Sequence, residues 1–374
     1  MIGGGQLARM THQAAIALGV GFRVLAASPR DSAAQVVADT VIGRHDDRDA
    51  VLSFAQGCDV VTFDHEHVPT AILQELLDRG TAVRPGPHAL RYAQDKAAMR
   101  EVLSSIEAPV PQWEVVDDPG AARAFGDRVG WPFVLKTSRG GYDGNGVWVV
   151  RDQVSAIDVM SHELQPGAVW LAEEFVGFDQ ELSAQVARSP HGQAVSYPVV
   201  RTVQTNGICT EVIAPAPGLT PQESAAAQEL ALRIAGELDV VGMLAVEMFH
   251  TPAGIVVNEL AMRPHNSGHW SIDGAVTSQF ENHLRAVLDL PLGAPDPVAE
   301  HTVMVNVLGG DHPDLYTAYL HVMARNPRLR VHMYGKDVRR GRKQGHVSVL
   351  GDDLAHLLGE AHHAADYITG VIDE

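Results

Sequence analysis

Strand-like and helix-like segments alternate over the first 95 residues of the chain. A run of three glycines at residues 3–5 leads into a helix-like stretch over residues 11–18, and residues 22–27 follow as a buried strand. A short helix is expected over residues 33–38 and another strand over residues 60–63. This alternation predicts an N-terminal unit built on a parallel α/β sheet.

The start of this unit is short. Only Met1 and Ile2 precede the glycine run, whereas a glycine loop that opens a helix normally follows a complete strand. Two interpretations stay open, a missing first strand or a misassigned start. A missing first strand would expose an edge of the N-terminal sheet or leave the glycine loop poorly anchored.

Beyond residue 95 the pattern changes to hairpins and one long helix. Three units are expected, over residues 1–95, 96–295 (with a mobile subdomain at about 113–180) and 296–374. The predicted central elements are strands at 131–136, 147–150, 170–175, 182–187, 194–200, 246–249 and 255–259, and helices at 95–103 and 221–238.

Composition restricts the function classes. The chain has 374 residues with 46 acidic and 28 basic side chains, a formal net charge of −18 that disfavours a nucleic-acid partner. The first ten residues lack the pattern of a secretory signal and no apolar run is long enough for a membrane span, so neither feature is expected. Cys58 and Cys209 lack a CxxC spacing, which is typical of the reducing cytoplasm.

A glycine-rich tip separates two predicted strands near residue 140. Lys136 lies on the strand that leads into the segment 140–146, where four glycines leave backbone amides open to an anion. A loop of this kind can fold over polyphosphate. An ordinary hairpin with a solvated lysine is the alternative.

Two acidic residues lie on neighbouring predicted strands. Glu247 and Glu259 are joined by a short turn, and Asn258 precedes the second. Oxygen ligands of this kind suit Mg²⁺, which usually also keeps substrate phosphates in its shell. The alternative is a pair of exposed glutamates at strand ends.

Arginine, histidine and asparagine side chains are concentrated just after these glutamates, in the segment 263–269. Arg263 can pair with a planar anion such as bicarbonate, and His265 and Asn266 can add hydrogen bonds. A structural loop is one alternative. A zinc site at the two histidines is another, disfavoured because no cysteine or helical HxxxH spacing accompanies them.

Five basic residues lie within eight positions near the C-terminus of this acidic chain, namely Lys336, Arg339, Arg340, Arg342 and Lys343. They predict an anion site, although a solvated basic loop would share the pattern. The N-terminal glycines also fit G-x-G-x-x-A, so a nicotinamide-dependent oxidoreductase is a rival. Against this rival, the sequence has no acidic residue after the strand over residues 22–27 that would bind a ribose diol.

Blocks of sequence along nearly the whole chain resemble one family. They are Gly3-Gly4-Gly5-Gln6-Leu7-Ala8-Arg9-Met10, Lys136 with Gly140-Gly141-Tyr142-Asp143-Gly144, Glu173-Glu174-Phe175-Val176 with Glu181-Leu182-Ser183, Asn258-Glu259 with Arg263-Pro264-His265-Asn266-Ser267-Gly268-His269-Trp270, and Tyr334-Gly335-Lys336 with Gly341-Arg342-Lys343-Gln344-Gly345-His346. Together they resemble the N5-carboxyaminoimidazole ribonucleotide synthases, which have the α/β ATP-grasp fold with an N-terminal pre-ATP-grasp domain and a small C-terminal domain.

The resemblance implies a reaction of purine biosynthesis. ATP phosphorylates bicarbonate to carboxyphosphate, and the carboxyl group moves to the amine of 5-aminoimidazole ribonucleotide. It also implies Mg²⁺, with Mn²⁺ as a substitute, and a cytoplasmic homodimer. Rivals are a formate-using or amino-acid-using ATP-grasp ligase and a catalytically inactive nucleotide-binding regulator.

The resemblance also implies roles for individual residues. The implied ATP site comprises Lys96, Lys136, Gly141, Tyr142, Asp143, Gly144, Asn145, Gly146, Val147, Glu173, Glu174, Phe175, Val176, Glu181, Gln204, Asn258 and Glu259. The implied catalytic residues are Asp143, Arg263, His265 and Asn266, and the implied metal ligands are Glu247 and Glu259. The ribonucleotide site would comprise Gly5, Gln6, Leu7, Glu66, Tyr142, Lys336, Arg342 and Lys343.

Some positions depart from the family pattern. Asn145 stands where arginine or lysine is usual, so one charged contact of the glycine loop is lost or supplied elsewhere. Gln204 stands near an expected histidine, which puts one nucleotide contact in doubt. Lys96 replaces a common arginine and Met262 a common proline.

Overall fold

The computed structural model describes residues 1–141, 144–310, 312 and 314–373. The helices of these residues are α1 Gln6–Leu18, α2 Arg48–Phe54, α3 Thr70–Asp78, α4 Pro87–Gln94, α5 Lys96–Ser105, α6 Pro119–Val129, α7 Gln153–Met160, α8 Pro221–Glu237, α9 Ser271–Gly274, α10 Gln279–Val287, α11 Tyr319–Arg325 and α12 Leu354–Thr369. Across the ranges described, every helix is too short or too polar to span a bilayer.

The strands are β1 Arg23–Ala26, β2 Asp39–Ile42, β3 Val60–Val61, β4 Ala82–Val83, β5 Trp113–Val116, β6 Phe133–Thr137, β7 Val147–Val150, β8 Trp170–Glu174, β9 Gln180–Arg188, β10 Ala194–Ser196, β11 Val200–Thr205, β12 Ile208–Ala214, β13 Gly242–Thr251, β14 Gly254–Ala261, β15 His301–Leu308, β16 Arg330–Met333 and β17 Lys343–Gly351.

The N-terminal unit is parallel, as predicted, and its first residues are bonded to neighbouring strands. Ile2 is fully buried and forms parallel bridges with both Leu25 and Phe63. The Gly3 N–H donates to Leu25 O at 2.9 Å, which anchors the glycine loop to β1. The expectation of a poorly anchored glycine loop is therefore wrong, because the bridges of Ile2 and the Gly3 hydrogen bond hold the loop to the sheet.

The helix expected over residues 33–38 is also wrong, since this segment forms turns. Its polar groups bond to distant parts of the chain. The Ala33 N–H donates to Gly4 O at 2.8 Å, and the Ser32 hydroxyl donates to Tyr334 O at 2.5 Å. Local bonds such as Val37 N–H to Ala33 O at 2.9 Å are also present, but they do not continue into a helix.

Residues 113–174 form a four-stranded antiparallel sheet of order β5-β8-β6-β7. Apolar side chains of α6, α7 and the sheet share one core, in which Phe125 packs edge-on against Phe133 with ring centroids 5.4 Å apart. The predicted strand over 147–150 is confirmed without a shift.

A nine-stranded sheet forms the larger part of the molecule. Its order is β14-β13-β9-β11-β12-β15-β17-β16, with β10 paired to β9. The stretch 194–200, predicted as one strand, is divided between β10 and β11, which both pair with β9. The strands of residues 301–351 extend this same sheet, because β12 pairs antiparallel with β15.

Candidate active site

The two predicted acidic residues face each other across a strand pair. Glu247 on β13 and Glu259 on β14 are register partners. Burial, with the charges of Glu259 and Glu181 nearby, raises the pKa of Glu247 to about 7. The side chains are 25% and 42% exposed, so both reach the open cleft rather than the core. The cleft therefore concentrates negative charge at one point.

Cationic side chains face these carboxylates. The Lys96 ammonium donates to Glu259 Oε1. Lys136 Nζ lies 2.7 Å from Glu173 Oε2 and 3.4 Å from Asn258 Oδ1. Both ammonium groups thus lie beside the acidic pair, where they can contact an anionic ligand.

Sequence reasoning missed Arg100. Its guanidinium is fully buried and donates from Nε and Nη2 to the two carboxylate oxygens of Glu173, at 2.7 and 3.2 Å. Burial opposes ionisation of Glu173, but Lys136 and Arg100 outweigh it and lower its pKa to about 2. Arg100 also donates to Asn258 O at 2.8 Å, joining helix α5 to strand β14. The available signal was an arginine on the core face of α5, between Met99 and Leu103.

The segment implied to line the nucleotide base lies at the end of β8. Glu173 points inward to Arg100, whereas Glu174 accepts a hydrogen bond from Gln112 at 2.8 Å. Phe175 is 50% exposed and Val176 half-buried. On strand β9 of the nine-stranded sheet, burial raises the pKa of Glu181, and the nearby Gln204 amide opposes this rise.

The glycine loop packs against the turn between β11 and β12. Gly144 and Gly146 have φ values of 79° and 74°, where glycine is favoured. A Cβ at Gly144 would lie 3.1 Å from the Cα of Gly207, so this approach depends on glycine. Gly141 and Asn145 flank this part of the loop and Val147 begins β7, while Tyr142 and Asp143 lie outside the described residues.

The polar loop after β14 closes the acidic end of the cleft. Arg263 Nε donates to Glu66 Oε2 at 2.7 Å, and the Met262 N–H donates to Glu66 Oε1 at 3.2 Å. His265 Nε2 lies 3.7 Å from Glu247 Oε1. The Asn266 amide is buried beside Cys209, and neither of its polar atoms has a conventional hydrogen-bond partner among the described residues. An unsatisfied buried amide of this kind is suited to a ligand.

A cavity of about 410 Å³ lies between the N-terminal glycine loop and the basic C-terminal loop. Lys336, Arg339 and Arg342 line it on one side, and Gly5 and His65 on the other. Arg30 and His45 also line it. Together with His65 they were not predicted as site residues, because no local pattern links the three positions.

Three predicted ribonucleotide-site residues have other contacts within the protein. The Gly5 N–H donates to Asp64 Oδ2 at 2.7 Å, so a carboxylate of the protein accepts from this helix-terminal amide. The Leu7 side chain packs in a core cluster with Tyr334. Lys343 is outside the cavity lining and acts electrostatically on Glu247, at the acidic end of the cleft. Gln6 accepts a hydrogen bond from Lys336, which brings these two predicted residues together.

The donor set at the acidic pair is not a closed metal site. Within the part of the chain that is described, no three His, Cys, Asp or Glu side chains form a group that could hold a metal ion. The zinc interpretation of the two histidines gains no support, since His269 Nδ1 accepts a hydrogen bond from Gln279 at 3.0 Å and its ring packs against Phe280.

An antiparallel-sheet cleft with facing lysines and an acidic strand pair defines the class, an ATP-grasp ligase. The ATP-grasp domain family matches residues 101–280, the ribonucleotide synthetase preATP-grasp domain matches residues 1–94, and the phosphoribosylaminoimidazole carboxylase C-terminal domain matches residues 302–360. The chain belongs to the N5-carboxyaminoimidazole ribonucleotide synthase family. It catalyses ATP-dependent carboxylation of 5-aminoimidazole ribonucleotide in purine biosynthesis, so the oxidoreductase alternative is wrong.

Similarity extends over almost the whole chain. The N5-carboxyaminoimidazole ribonucleotide synthase of Mycobacterium tuberculosis is 54% identical over 99% of this chain and 87% of its own length. The crystal structure of the Thermus thermophilus synthetase superposes with a TM-score of 0.87 at 37% identity, covering 100% of this chain and 99% of that one. The Aspergillus clavatus synthase in complex with ADP and 5-aminoimidazole ribonucleotide has a TM-score of 0.90 at 31% identity, with 98% of each chain covered.

Proposed function

We propose that the acidic pair holds the magnesium ion that accompanies ATP. The observation that carries the proposal is the register pairing of Glu247 and Glu259, which leaves repelling carboxylates at the cleft and raises the pKa of Glu247 to about 7. A divalent cation would relieve this repulsion, and the oxygen donors, with Asn258 beside them, suit Mg²⁺ or Mn²⁺. Bound there, Mg²⁺ would neutralise charge on the phosphates during transfer.

The nucleotide is proposed to lie between the two antiparallel sheets. Lys96 and Lys136 would give up part of their contact with Glu259 and Glu173, respectively, and would contact the ATP phosphates. The glycine loop, including Tyr142 and Asp143, would cover the phosphates. The end of β8, with Glu174, Phe175 and Val176, would line the base, while Glu181 and Gln204 would bind the ribose hydroxyls. The exposed ring of Phe175 and the proximity of Gln204 to Glu181 support this orientation.

Bicarbonate and carboxyphosphate are proposed to bind at the polar loop after β14. Arg263 brings positive charge next to Glu247, and His265 and the unsatisfied Asn266 amide supply hydrogen bonds. Glu66 orients Arg263 by the 2.7 Å bond to its Nε. Preorganised donors of this kind stabilise charge that develops on a transferring group.

The acceptor nucleotide is proposed to occupy the 410 Å³ cavity. Lys336 and Arg342 would bind its phosphate, which explains a basic cluster in a chain of net charge −18. Lys343 would instead contact the carboxyl group, because it lies towards Glu247. Asp143 would orient or deprotonate the amine.

The assignment of substrates is tested by ADP release. With MgATP and bicarbonate, release should require 5-aminoimidazole ribonucleotide for full rate, and removal of bicarbonate should abolish formation of the carboxylated product. ADP release that does not depend on 5-aminoimidazole ribonucleotide would contradict the acceptor assignment.

The metal assignment is tested by Glu259→Gln. We expect loss of at least about 10²-fold in kcat, the usual effect of removing a group that stabilises transferring charge, with the thermal unfolding midpoint retained. Titration of Mn²⁺ by electron paramagnetic resonance in the presence of ATP should show weakened binding. Near-normal rates and Mn²⁺ affinity would reject Glu259 as a ligand.

We also propose the division 1–95, 96–295 and 296–374, a cytoplasmic location and a homodimer. Two free cysteines support a reducing compartment. An apolar stripe on the C-terminal part supports self-association, since Tyr316, Leu320 and Met323 are 73%, 85% and 42% exposed. Light scattering at micromolar concentration tests this, and a monomer mass would contradict it.

A further inference from the structure

A chain of buried polar side chains runs from strand β9 to the ring of His265. Gln185 Nε2 donates to Ser183 Oγ at 2.8 Å and to Ser267 Oγ at 2.9 Å. The two hydroxyl oxygens are 2.8 Å apart, and Ser267 Oγ lies 2.7 Å from His265 Nδ1. Gln185, Ser183 and Ser267 are at most 1% exposed. We call this chain the β9 relay.

The direction of the hydrogen bonds in the β9 relay follows from a main-chain donor. The Ser267 N–H points at His265 Nδ1 over 3.4 Å, where the ring caps the 3-10 turn Asn266–Gly268. A backbone N–H can only donate, so Nδ1 accepts. The Ser267 hydroxyl then donates to the same nitrogen, and its oxygen receives the hydrogen of Ser183 and one hydrogen of Gln185. Each hydrogen in the relay has one acceptor.

The opposite direction is unfavourable. If Nδ1 carried the proton, it would face the fixed N–H of Ser267. The Ser267 hydroxyl would then donate to Ser183, and the Ser183 hydrogen would have no further acceptor in the relay. A buried amide oxygen without a partner is tolerated better than a buried donor hydrogen without one.

The backbone of His265 is held as firmly as its ring. The His265 N–H donates to Gln279 Oε1 at 2.9 Å, and Gln279 Nε2 donates to His265 O at 2.8 Å. Because Nδ1 accepts from a main-chain N–H, the hydrogen of the neutral ring lies on the other nitrogen, Nε2, which is on the cleft side, near Glu247.

We propose that Gln185, Ser183 and Ser267 are positioning residues that lock His265 in its Nε2–H tautomer, which makes the ring a hydrogen-bond donor to an oxygen of bicarbonate or carboxyphosphate. The choice of bicarbonate or carboxyphosphate as the ligand rests on the proposed function. The tautomer is inferred from the hydrogen bonds alone. In this role His265 stabilises negative charge and does not remove a proton.

The tautomer is measurable in the ligand-free wild type. Nitrogen-15 NMR of protein labelled in its histidine rings distinguishes the two tautomers, and His265→Asn assigns the signal by difference. We expect a protonated Nε2 and an unprotonated Nδ1. An Nδ1–H tautomer would overturn the inference, even if bicarbonate-dependent ADP release is normal. Loss of bicarbonate-dependent ADP release would instead contradict the proposed function.

Gln185→Glu reverses the relay without changing its shape. A carboxylate can only accept, so both hydroxyls would turn towards it and Ser267 Oγ would accept from Nδ1–H. We expect the tautomer to switch and kcat to fall about 10²–10³-fold, the effect of losing one donor to a developing anion, with little change in KM for MgATP. An unchanged tautomer would overturn the inference, as would normal kcat.

A matched control is Gln228→Glu on α8, which places a glutamate at another partly buried position where the amide donates to Tyr197 O. It should lower stability without changing the His265 tautomer or kcat. If Gln185→Glu does not fold, Ser267→Ala removes only the hydroxyl donor, and kcat should fall about tenfold, as expected for one lost hydrogen bond. Wild-type kcat in Ser267→Ala would contradict the relay.

Discussion

Two glutamates of the cleft have very different pKa values because their neighbours differ. Lys136 and Arg100 hold Glu173 ionised, with a pKa of about 2 despite its burial. Glu247 instead faces Glu259 and Glu181, and burial with their charges raises its pKa to about 7. One carboxylate is thus a structural ion-pair partner, and the other carries charge that a cation can compensate.

This difference predicts how Glu247→Gln changes stability. Because the folded-state pKa of Glu247 is above the unfolded value of 4.5, its effect on stability is most favourable below about pH 4.5 and is lost as the pH rises through about 7. In metal-free protein at pH 8, Glu247→Gln should raise the free energy of unfolding by on the order of 2 kcal/mol, with little gain near pH 5.

Thermal unfolding in EDTA at the two pH values tests this prediction. Glu229→Gln, at an exposed position of α8, is the control and should show no such pH dependence. A lower unfolding midpoint for Glu247→Gln at pH 8 would contradict the repulsion that supports the metal site.

Helix α1 has an acceptor at its N-terminus that comes from a distant part of the chain. The Asp64 carboxylate accepts from the Gly5 N–H at 2.7 Å and from the Ala8 N–H at 2.8 Å. Asp64 lies just after β3, so this contact attaches the helix start to the sheet. The fit is close, because a Cβ at Gly5 would overlap the carboxylate.

Gly5→Ala should therefore destabilise the protein by about 1–3 kcal/mol, the usual cost of overpacking a close-fitted site. Gly21→Ala is the matched control, since a Cβ there meets no atom within 4 Å, and it should be neutral or slightly stabilising. Chemical denaturation of both variants measures the difference. Equal stabilities would show that Asp64 moves aside without penalty.

The nine-stranded sheet joins the C-terminal strands to the centre of the molecule. β12 pairs with β15 from Glu211 to Ala214. Asn306 donates to Cys209 O at 2.9 Å, and His362 Nε2 lies 2.6 Å from Glu211 Oε2. Helix α12 packs on β15 and β17 through a shared apolar core. The residues after 295 therefore complete a sheet that begins before them.

A chain shortened to residues 1–295 should not fold stably. It would expose the edge of β12 and the apolar side chain of Ile213, which packs with the C-terminal core. We expect aggregation, or loss of near-ultraviolet circular dichroism, under conditions where the full chain is soluble and folded. A soluble shortened chain with cooperative unfolding would show that the C-terminal strands are dispensable for the sheet.

Local patterns predicted most of the elements and the family. The strand Val147–Val150 and the helix Pro221–Glu237 follow from apolar periodicity and turn residues next to them. The family motifs could be recognised because each is contiguous in sequence. Glu247 and Glu259 could be paired in advance, since only a short turn separates their strands.

Contacts between distant residues required the tertiary structure. Arg100 meets Glu173 across 73 positions, and Ser267 meets Gln185 across 82. The turns at 33–38 and the bridges of Ile2 depend on partners that no local pattern specifies. By itself the sequence determined the elements and the chemical groups, because propensity and periodicity act within a few residues. Only the tertiary structure decided which buried polar groups bond to each other, because that pairing depends on packing between elements.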